Sequence, residues 1–275
     1  MLRGSDDQQP VRDCLAERYY IELPDPDQPP YGSTFLNEGV RGHDGTGGFY
    51  SPDAAFYFGP FWVLLNSRAA LATVSFIKRL LDHATRVRLT RGSRNAASIP
   101  GMQLPGFEMD LPRLGPRRFI GDAHVWRWYR ATSVGPYACM SALLALERAV
   151  DQQLAEPGVS LADVLDPLLR DAESLAIPGL VVGILIRYID RVTNELDSWL
   201  TNPLIWELDN ERSLSEFHGP RSARDSDIED THGHERRKWM VHHIVGWLVA
   251  DGYSRGDTDR LEGLAGLGRD RATFH

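Results

Sequence analysis

The chain has 275 residues, of which 42% are hydrophobic and 25% charged, so it can bury a sizeable core in one or two domains. Its net charge is −8, its N-terminus is too polar for a secretory signal, and its longest apolar run, residues 177–186, is about half a bilayer crossing. These features argue against a membrane protein, and two distant cysteines exclude a disulfide framework and favour the cytoplasm.

The charges are distributed in blocks along the chain. Residues 1–60 carry a net charge of −6, residues 61–130 carry +8 and residues 131–220 carry −9. Either the blocks pair with each other or form solvated faces, or the basic block contacts phosphate groups of a nucleic acid. The second alternative rests on seven arginines, namely Arg86, Arg88, Arg91, Arg94, Arg113, Arg117 and Arg118.

The N-terminal segment, residues 1–59, is rich in proline and glycine between 21 and 60, which predicts an irregular conformation. Apolar residues then recur at helical spacing, which predicts a helix that ends near His83. The next stretch, 89–118, has the composition of a loop or a short β-hairpin. Residues 87–89 and 118–120 are its candidate strands.

An aromatic cluster precedes the strongest helical pattern. Trp126, Trp128 and Tyr129 lie within four residues, and we predict that they anchor an irregular segment to a helical core. A helix is predicted from Tyr137 to Leu154, where apolar residues line one side.

Several further helices are expected downstream. Ser160 begins a capping box ahead of a helix that Pro167 should kink or divide, and helices follow over 175–189 and 189–200. Another begins at Pro203 and ends near Arg212.

The rest of the chain completes a four-part organisation. A helical domain over 60–212 follows the irregular segment 1–59, and a polar linker over 213–234 leads to a C-terminal helical segment over 235–275. The fold is predicted to be mainly α, with stacked antiparallel helices in a degenerate solenoid-like array.

Catalytic motifs are not evident in the sequence. It has no phosphate loop, no dinucleotide-binding glycine motif after a strand and no nucleophile elbow, so we predict no enzymatic activity and no cofactor. The alternative is a metal-dependent hydrolase, whose candidate ligands are His232, His234, Glu235 and His242. However, Lys238 occupies the place of the second histidine of H-E-x-x-H, so a polar helix start with one half-buried histidine is the simpler interpretation.

Parts of the chain resemble a family of very large bacterial proteins. The matching pieces are GD…VWRWYR at 121–130, SALLALE at 141–147, SLAIPGL at 174–180 and WELD…R at 206–212, with GPF…LL at 59–65 and DHAT at 82–85 as upstream extensions. The chain is similar here to signal-transducing NTPases (STAND-like ATP-binding proteins) with helical repeats, some of which are proposed to act in phage defence.

The resemblance implies that the chain corresponds to a helical interior region, as a fragment or a split part of such a protein. Because the phosphate loop of the whole protein is missing from this chain, no nucleotide-binding residue is carried over. The function expected from the sequence is therefore a non-enzymatic helical scaffold or protein-interaction module. Its expected partner is a protein or a flanking ATPase domain, with nucleic acid as the alternative and no membrane.

Overall fold

The computed structural model describes most of the chain and shows a mainly helical fold with one two-stranded hairpin, as the sequence predicted. The described residues are 9–20, 38–41, 60–92, 104–131, 135–218, 230–256, 258 and 262. Most of the Pro/Gly-rich segment, 21–37 and 42–59, lies outside them. The solenoid-like stacking of the helices remains a prediction.

The first helices differ in extent from those predicted. Helix α1 (Gln9–Tyr19) lies inside the N-terminal segment, so the expectation of an irregular conformation is wrong for these residues. After the short helix α2 (Phe61–Leu65), helix α3 (Ala70–Gly92) continues nine residues beyond His83. It continues because buried positions persist at helical spacing through Leu80, Ala84, Val87 and Leu89.

The predicted hairpin is present, but one of its strands was misplaced. Strands β1 (Gly106–Leu111) and β2 (Gly115–Ile120) pair antiparallel, with Phe107 opposite Phe119. Residues 118–120 lie in β2 as expected, whereas 87–89 belong to α3. The sequence Val87-Arg88-Leu89 suits either a strand or a buried helix turn, and the longer helical pattern decides.

The hairpin leads into residues 123–130, which contain Trp126, Trp128 and Tyr129 and which we call the aromatic segment. This segment lies in the core. Helix α4 (Ala123–Trp126) begins at Asp122, whose side chain accepts a hydrogen bond from the amide of Val125, and a 3₁₀ helix (Arg127–Arg130) follows. Trp126 and Trp128 are fully buried. The segment lies directly against the backbone of the later helix α7 (Ala176–Arg187), where a Cβ on Gly179 would approach the carbonyl oxygen of Trp126 to 2.4 Å.

Three helices form the centre of the molecule. Helix α5 (Tyr137–Ala155) is buried on most of its surface, helix α6 (Leu161–Leu169) begins with the predicted Ser160–Asp163 capping box, and helix α7 (Ala176–Arg187) is almost wholly buried. Pro167 does not divide α6, which runs through it as one helix.

The C-terminal half adds shorter elements around this centre. The predicted helix over 189–200 is instead a 3₁₀ helix (Ile189–Arg191) and the short helix α8 (Asp197–Leu200). Helix α9 (Pro203–His218) ends six residues later than predicted and so includes 213–218 of the expected linker. A 3₁₀ helix (His234–Lys238) and helix α10 (Val241–Arg255) then lie where the sequence predicts a C-terminal helical segment from Glu235.

The length and hydropathy of these helices bear on membrane crossing. Among the residues that the structure describes, no helix combines the length and the apolar character that a bilayer crossing requires.

Candidate functional site

Eight buried or half-buried charged side chains form a network where the aromatic segment, α5, α7, α9 and the 3₁₀ helix His234–Lys238 meet. We call this set the charge network. It contains four arginines and four carboxylates, Arg130, Glu147, Asp151, Arg187, Asp209, Arg212, Glu216 and Arg237. The two signs balance, which is the condition under which charges can be buried at tolerable cost.

The first half of the network is centred on Arg187, at the C-terminal end of α7. Its guanidinium lies 3.2 Å from Oε1 of Glu147 and donates from Nη1 to Oδ1 of Asp151 at 3.0 Å. Arg237 donates to the other oxygen of Glu147 at 2.8 Å. Although burial acts to raise the pKa of the Glu147 carboxyl, Arg237 and Arg187 lower it below its ordinary value. Glu147 is therefore held as the anion between two cations.

Asp151 lies one helical turn after Glu147 on α5 and behaves differently. Burial raises the pKa of its carboxyl despite the neighbouring Arg187. The hydroxyl of Tyr188 donates to Asp151 at 3.0 Å, and the Tyr188 ring stacks on the His232 ring with centroids 4.1 Å apart. The Tyr188 side chain therefore connects Asp151 of α5 to His232.

The second half of the network joins the aromatic segment to α9. Arg130 donates to Oε1 of Glu216 at 2.6 Å, and Arg212 donates to Glu216 at 3.0 Å and to Asp209 at 2.7 Å. The second oxygen of Asp209 accepts the backbone N–H of Val241 at 2.7 Å. Arg212 is 1% exposed, so its planar guanidinium group binds partners inside the protein and not solvent.

The charge network was not predicted from the sequence, although the sequence contains signs of it. Glu147 and Asp151 lie at i and i+4 on a predominantly apolar helix, and Arg187 directly follows the longest apolar run. Charged residues within apolar patterns are buried only when they are paired. That signal predicts buried ion pairs, but the identity of the partners depends on contacts across 36 to 90 positions of sequence.

Of the seven arginines proposed to contact phosphate groups, the five whose side chains are described all make ion pairs with carboxylates. Arg88 lies 2.9 Å from Asp122 and 3.1 Å from Glu38, and Arg113 lies 2.9 Å from Asp166. The other pairs are Arg86–Glu173, Arg117–Asp171 at 4.0 Å and Arg118–Glu108 at 3.9 Å. The Arg91 side chain and Arg94 lie outside the described residues. Much of the basic block is thus paired with carboxylates from both flanking acidic blocks.

The candidate metal ligands are not brought together. His232 stacks on Tyr188, and no group of three or more His, Cys, Asp or Glu side chains suited to a metal ion occurs in the described part of the chain. The ring centroids of His242 and its neighbour His243 lie 4.0 Å apart. His243 accepts a hydrogen bond from the Met240 amide at the start of α10 instead.

The described residues form a polar cleft and an apolar groove. A polar cleft of about 250 Å³ lies between α9 and α10 and is lined by Trp206, Glu207 and His242, among others. An apolar groove of about 180 Å³ lies between α3, α5 and α6, and we call it the α3/α5/α6 groove. Its lining is dominated by aliphatic side chains, which include Leu71, Val74, Leu146, Val150, Val164 and Leu168.

One lysine borders the apolar groove. Lys78 donates from Nζ to the carbonyl oxygens of Pro167 at 3.1 Å and Arg170 at 2.6 Å, at the C-terminal end of α6. Burial lowers the pKa of its ammonium group. Because the charge is directed at these carbonyl oxygens, the groove presents an aliphatic surface with one fixed cationic edge.

Comparison with known proteins gives no assignment for this arrangement. No protein-family model matches the chain, and no curated protein matches it.

Proposed function

We propose that this chain is a non-enzymatic helical interaction module that receives an apolar side chain of a protein partner in the α3/α5/α6 groove. The groove is the observation that carries the proposal, because it is concave and mostly aliphatic, with few polar groups. Binding sites commonly have this composition. Its volume of about 180 Å³ suits one large aliphatic or aromatic side chain.

The use of the charged side chains supports the same function. Glu147, Arg187 and Arg212 are at most 3% exposed, and none of them lines the cleft or the groove. Glu147 and Arg187 pair with each other, and Arg212 pairs with Asp209 and Glu216. A catalytic acid or base needs access to a substrate proton. These groups instead fix the relative positions of α5, α7 and α9, which is the task of a scaffold.

The resemblance to interior segments of large bacterial ATP-binding proteins supports a particular partner. Four of the residues in the resembling segments, Arg130, Glu147, Asp209 and Arg212, belong to the charge network, so in this chain they hold helices together. We therefore propose that the chain is a fragment or split part of such a protein, that it works in the cytoplasm, and that its partner is an ATPase encoded nearby.

The test is capture of neighbouring gene products by the tagged chain. Val74→Glu places a carboxylate in the groove, where burial of an unpaired charge opposes docking, and it should reduce capture at least about tenfold. Gln152→Glu makes a similar change on an exposed position of α5 outside the groove lining and should leave capture unchanged. Equal capture by the wild type and Val74→Glu would refute the groove as the docking site, and no captured ATPase would refute the partner.

A further inference from the structure

Residues 230–240 lie across the C-terminal end of α7 and contact side chains in the middle of α5 and α9, and we call them the strap. Polar contacts hold the strap to these helices along its length. Asp230 pairs with Arg148, and Arg236 donates to Oδ2 of Asp190 at 2.7 Å and to the carbonyl oxygen of Arg187 at 3.1 Å. Arg237 donates to Glu147 at 2.8 Å. The strap therefore places two consecutive arginines on two separate carboxylates.

The helices also recognise the backbone of the strap. Arg187 donates to the carbonyl oxygen of His232, and Arg212 donates to the carbonyl oxygen of Trp239 at 2.9 Å. Trp239 itself lies beneath Arg236, whose guanidinium carbon is 5.4 Å from the ring centroid. The surface under the strap includes Glu147, Arg187, Asp190 and Arg212, and we call it the groove beneath the strap. The strap meets it with backbone carbonyls, two arginines and one aromatic residue. A segment of another protein with two arginines and a nearby aromatic residue could make the same contacts.

Buried donors on both the strap and the groove beneath it lack an acceptor in the described part of the chain. In the described residues, Nη2 of Arg187 and both Nε and Nη2 of Arg237 are buried without a hydrogen-bond acceptor. A buried donor left unpaired loses its hydration without compensation. Buried ion pairs contribute little net stability because their desolvation offsets their attraction. In contrast, α10 has its own apolar anchor in Val241, Ile244 and Leu248.

We infer that the groove beneath the strap is a recognition site for a partner segment with two consecutive arginines and a nearby following aromatic residue, and that the strap is its resident occupant. This inference rests on the proposed function, because the protein partner carries the segment that competes with the strap. The strap opens while α5, α7 and α10 stay folded, and the partner segment takes the places of Arg236, Arg237 and Trp239. The carboxylates that receive it are Glu147 and Asp190.

Hydrogen exchange on the wild-type chain tests whether the strap opens separately. The amides of Arg236 and Trp239 donate to carbonyl oxygens within the strap, at 2.8 and 2.9 Å, and so report on its opening. We expect them to exchange at least about 100-fold faster than the amides of α5 and α7, by opening that leaves the core intact. Equal protection of strap and core would overturn the inference.

A labelled peptide of residues 230–240 tests whether the groove accepts a segment from another molecule. The full chain with Gly233→Ala is the receptor, because Gly233 has φ +61° and a Cβ there would lie 2.7 Å from the carbonyl oxygen of Arg187. This substitution displaces the strap and leaves every groove side chain in place. We expect the variant to bind the peptide at least about tenfold more tightly than the wild type.

Two control variants test whether the peptide binds at the groove beneath the strap. Adding Glu147→Gln to the receptor, or Arg237→Ala to the peptide, should each weaken binding at least about tenfold, since each removes one partner of the same ion pair. No gain from Gly233→Ala, or no loss in either control, would overturn the inference. Capture of an ATPase through the α3/α5/α6 groove would still stand in that case, so failure of this site and failure of the proposed function are distinguishable.

Discussion

The ring of Tyr129 lies against the backbone of Gly183, so closely that a Cβ on Gly183 would come within 2.7 Å of the ring carbon Cε2. Tyr129 is 4% exposed and belongs to the aromatic segment, whereas Gly183 lies in the middle of α7. Glycine in a helix interior normally reduces stability relative to alanine. Here it permits a close contact between two elements that the sequence separates by more than fifty residues.

Replacing this glycine should destabilise the fold. We expect Gly183→Ala to lower the free energy of unfolding by about 1–2 kcal/mol, because overlap with a buried ring exceeds the gain in helix propensity. Gly246→Ala is the matched control, since Gly246 lies in α10 and a Cβ added there would have no neighbouring atom within 4 Å. It should raise stability by about 0.5–1 kcal/mol. Urea denaturation followed by circular dichroism measures both.

Arg187 should be far more important to stability than an exposed arginine. Arg187→Met leaves Glu147 and Asp151 buried with less compensation, and we expect a loss of about 3–5 kcal/mol. Arg86→Ala removes an ion pair with Glu173 in which both side chains are about half exposed, and it should cost less than about 1 kcal/mol. Similar losses for the two variants, measured by urea denaturation, would contradict the importance given to the charge network.

Asp82 should make stability depend on pH in the acidic range. Its Oδ1 accepts the amides of Glu173 and Ser174 at 3.0 and 2.7 Å, and burial raises the pKa of its carboxyl from 3.8 to about 6. The folded state therefore holds its proton at a higher pH than the unfolded state does. The resulting stability is fully present below pH 3.8 and is lost as the pH rises through about 6.

The substitution Asp82→Asn tests this dependence. Asparagine keeps an oxygen acceptor for the two amides and cannot ionise. We expect it to raise the free energy of unfolding by about 1–2 kcal/mol at pH 7.5 and to have little effect near pH 4. Denaturation midpoints measured from pH 4 to 8 give the difference, and an equal effect at all pH values would argue against ionisation of Asp82 as its cause.

The two cysteines should differ sharply in reactivity. Cys139 is fully buried in α5, and burial raises the pKa of its thiol, whereas Cys14 is exposed on α1. Because the thiolate is the reactive form, a thiol reagent should modify Cys14 quickly and Cys139 only after unfolding. Mass spectrometry of native and denatured samples should show one and two labels. Rapid labelling of Cys139 in the native chain would contradict its placement in the core.

Elements with a strong local signal were predictable. The Ser160–Asp163 capping box and the helix from Tyr137 were expected from short-range chemistry, and both are present. Errors arose where one stretch fits two structures. Val87-Arg88-Leu89 suits a strand but continues α3, and a break at Trp239 interrupts the helical segment expected from Glu235.

The candidate site was less accessible to sequence reasoning. The histidine cluster had the residue types of a metal site without their convergence, because convergence depends on how distant segments are placed. The charge network shows the reverse case, since Glu147, Arg187 and Arg237 lie far apart in sequence and no local pattern pairs them. The groove between α3, α5 and α6 likewise exists only once three helices have packed.

The sequence by itself determined that this protein is mainly helical, where its best helices begin and which residues are apolar enough to form its core. Periodicity and capping are local, so they are legible within a few residues. Only the tertiary structure decided that Tyr129 rests on Gly183, that four arginines pair with four buried or half-buried carboxylates, and that residues 230–240 lie across the end of α7. These outcomes depend on shape and charge matching between distant segments, which composition and spacing do not encode.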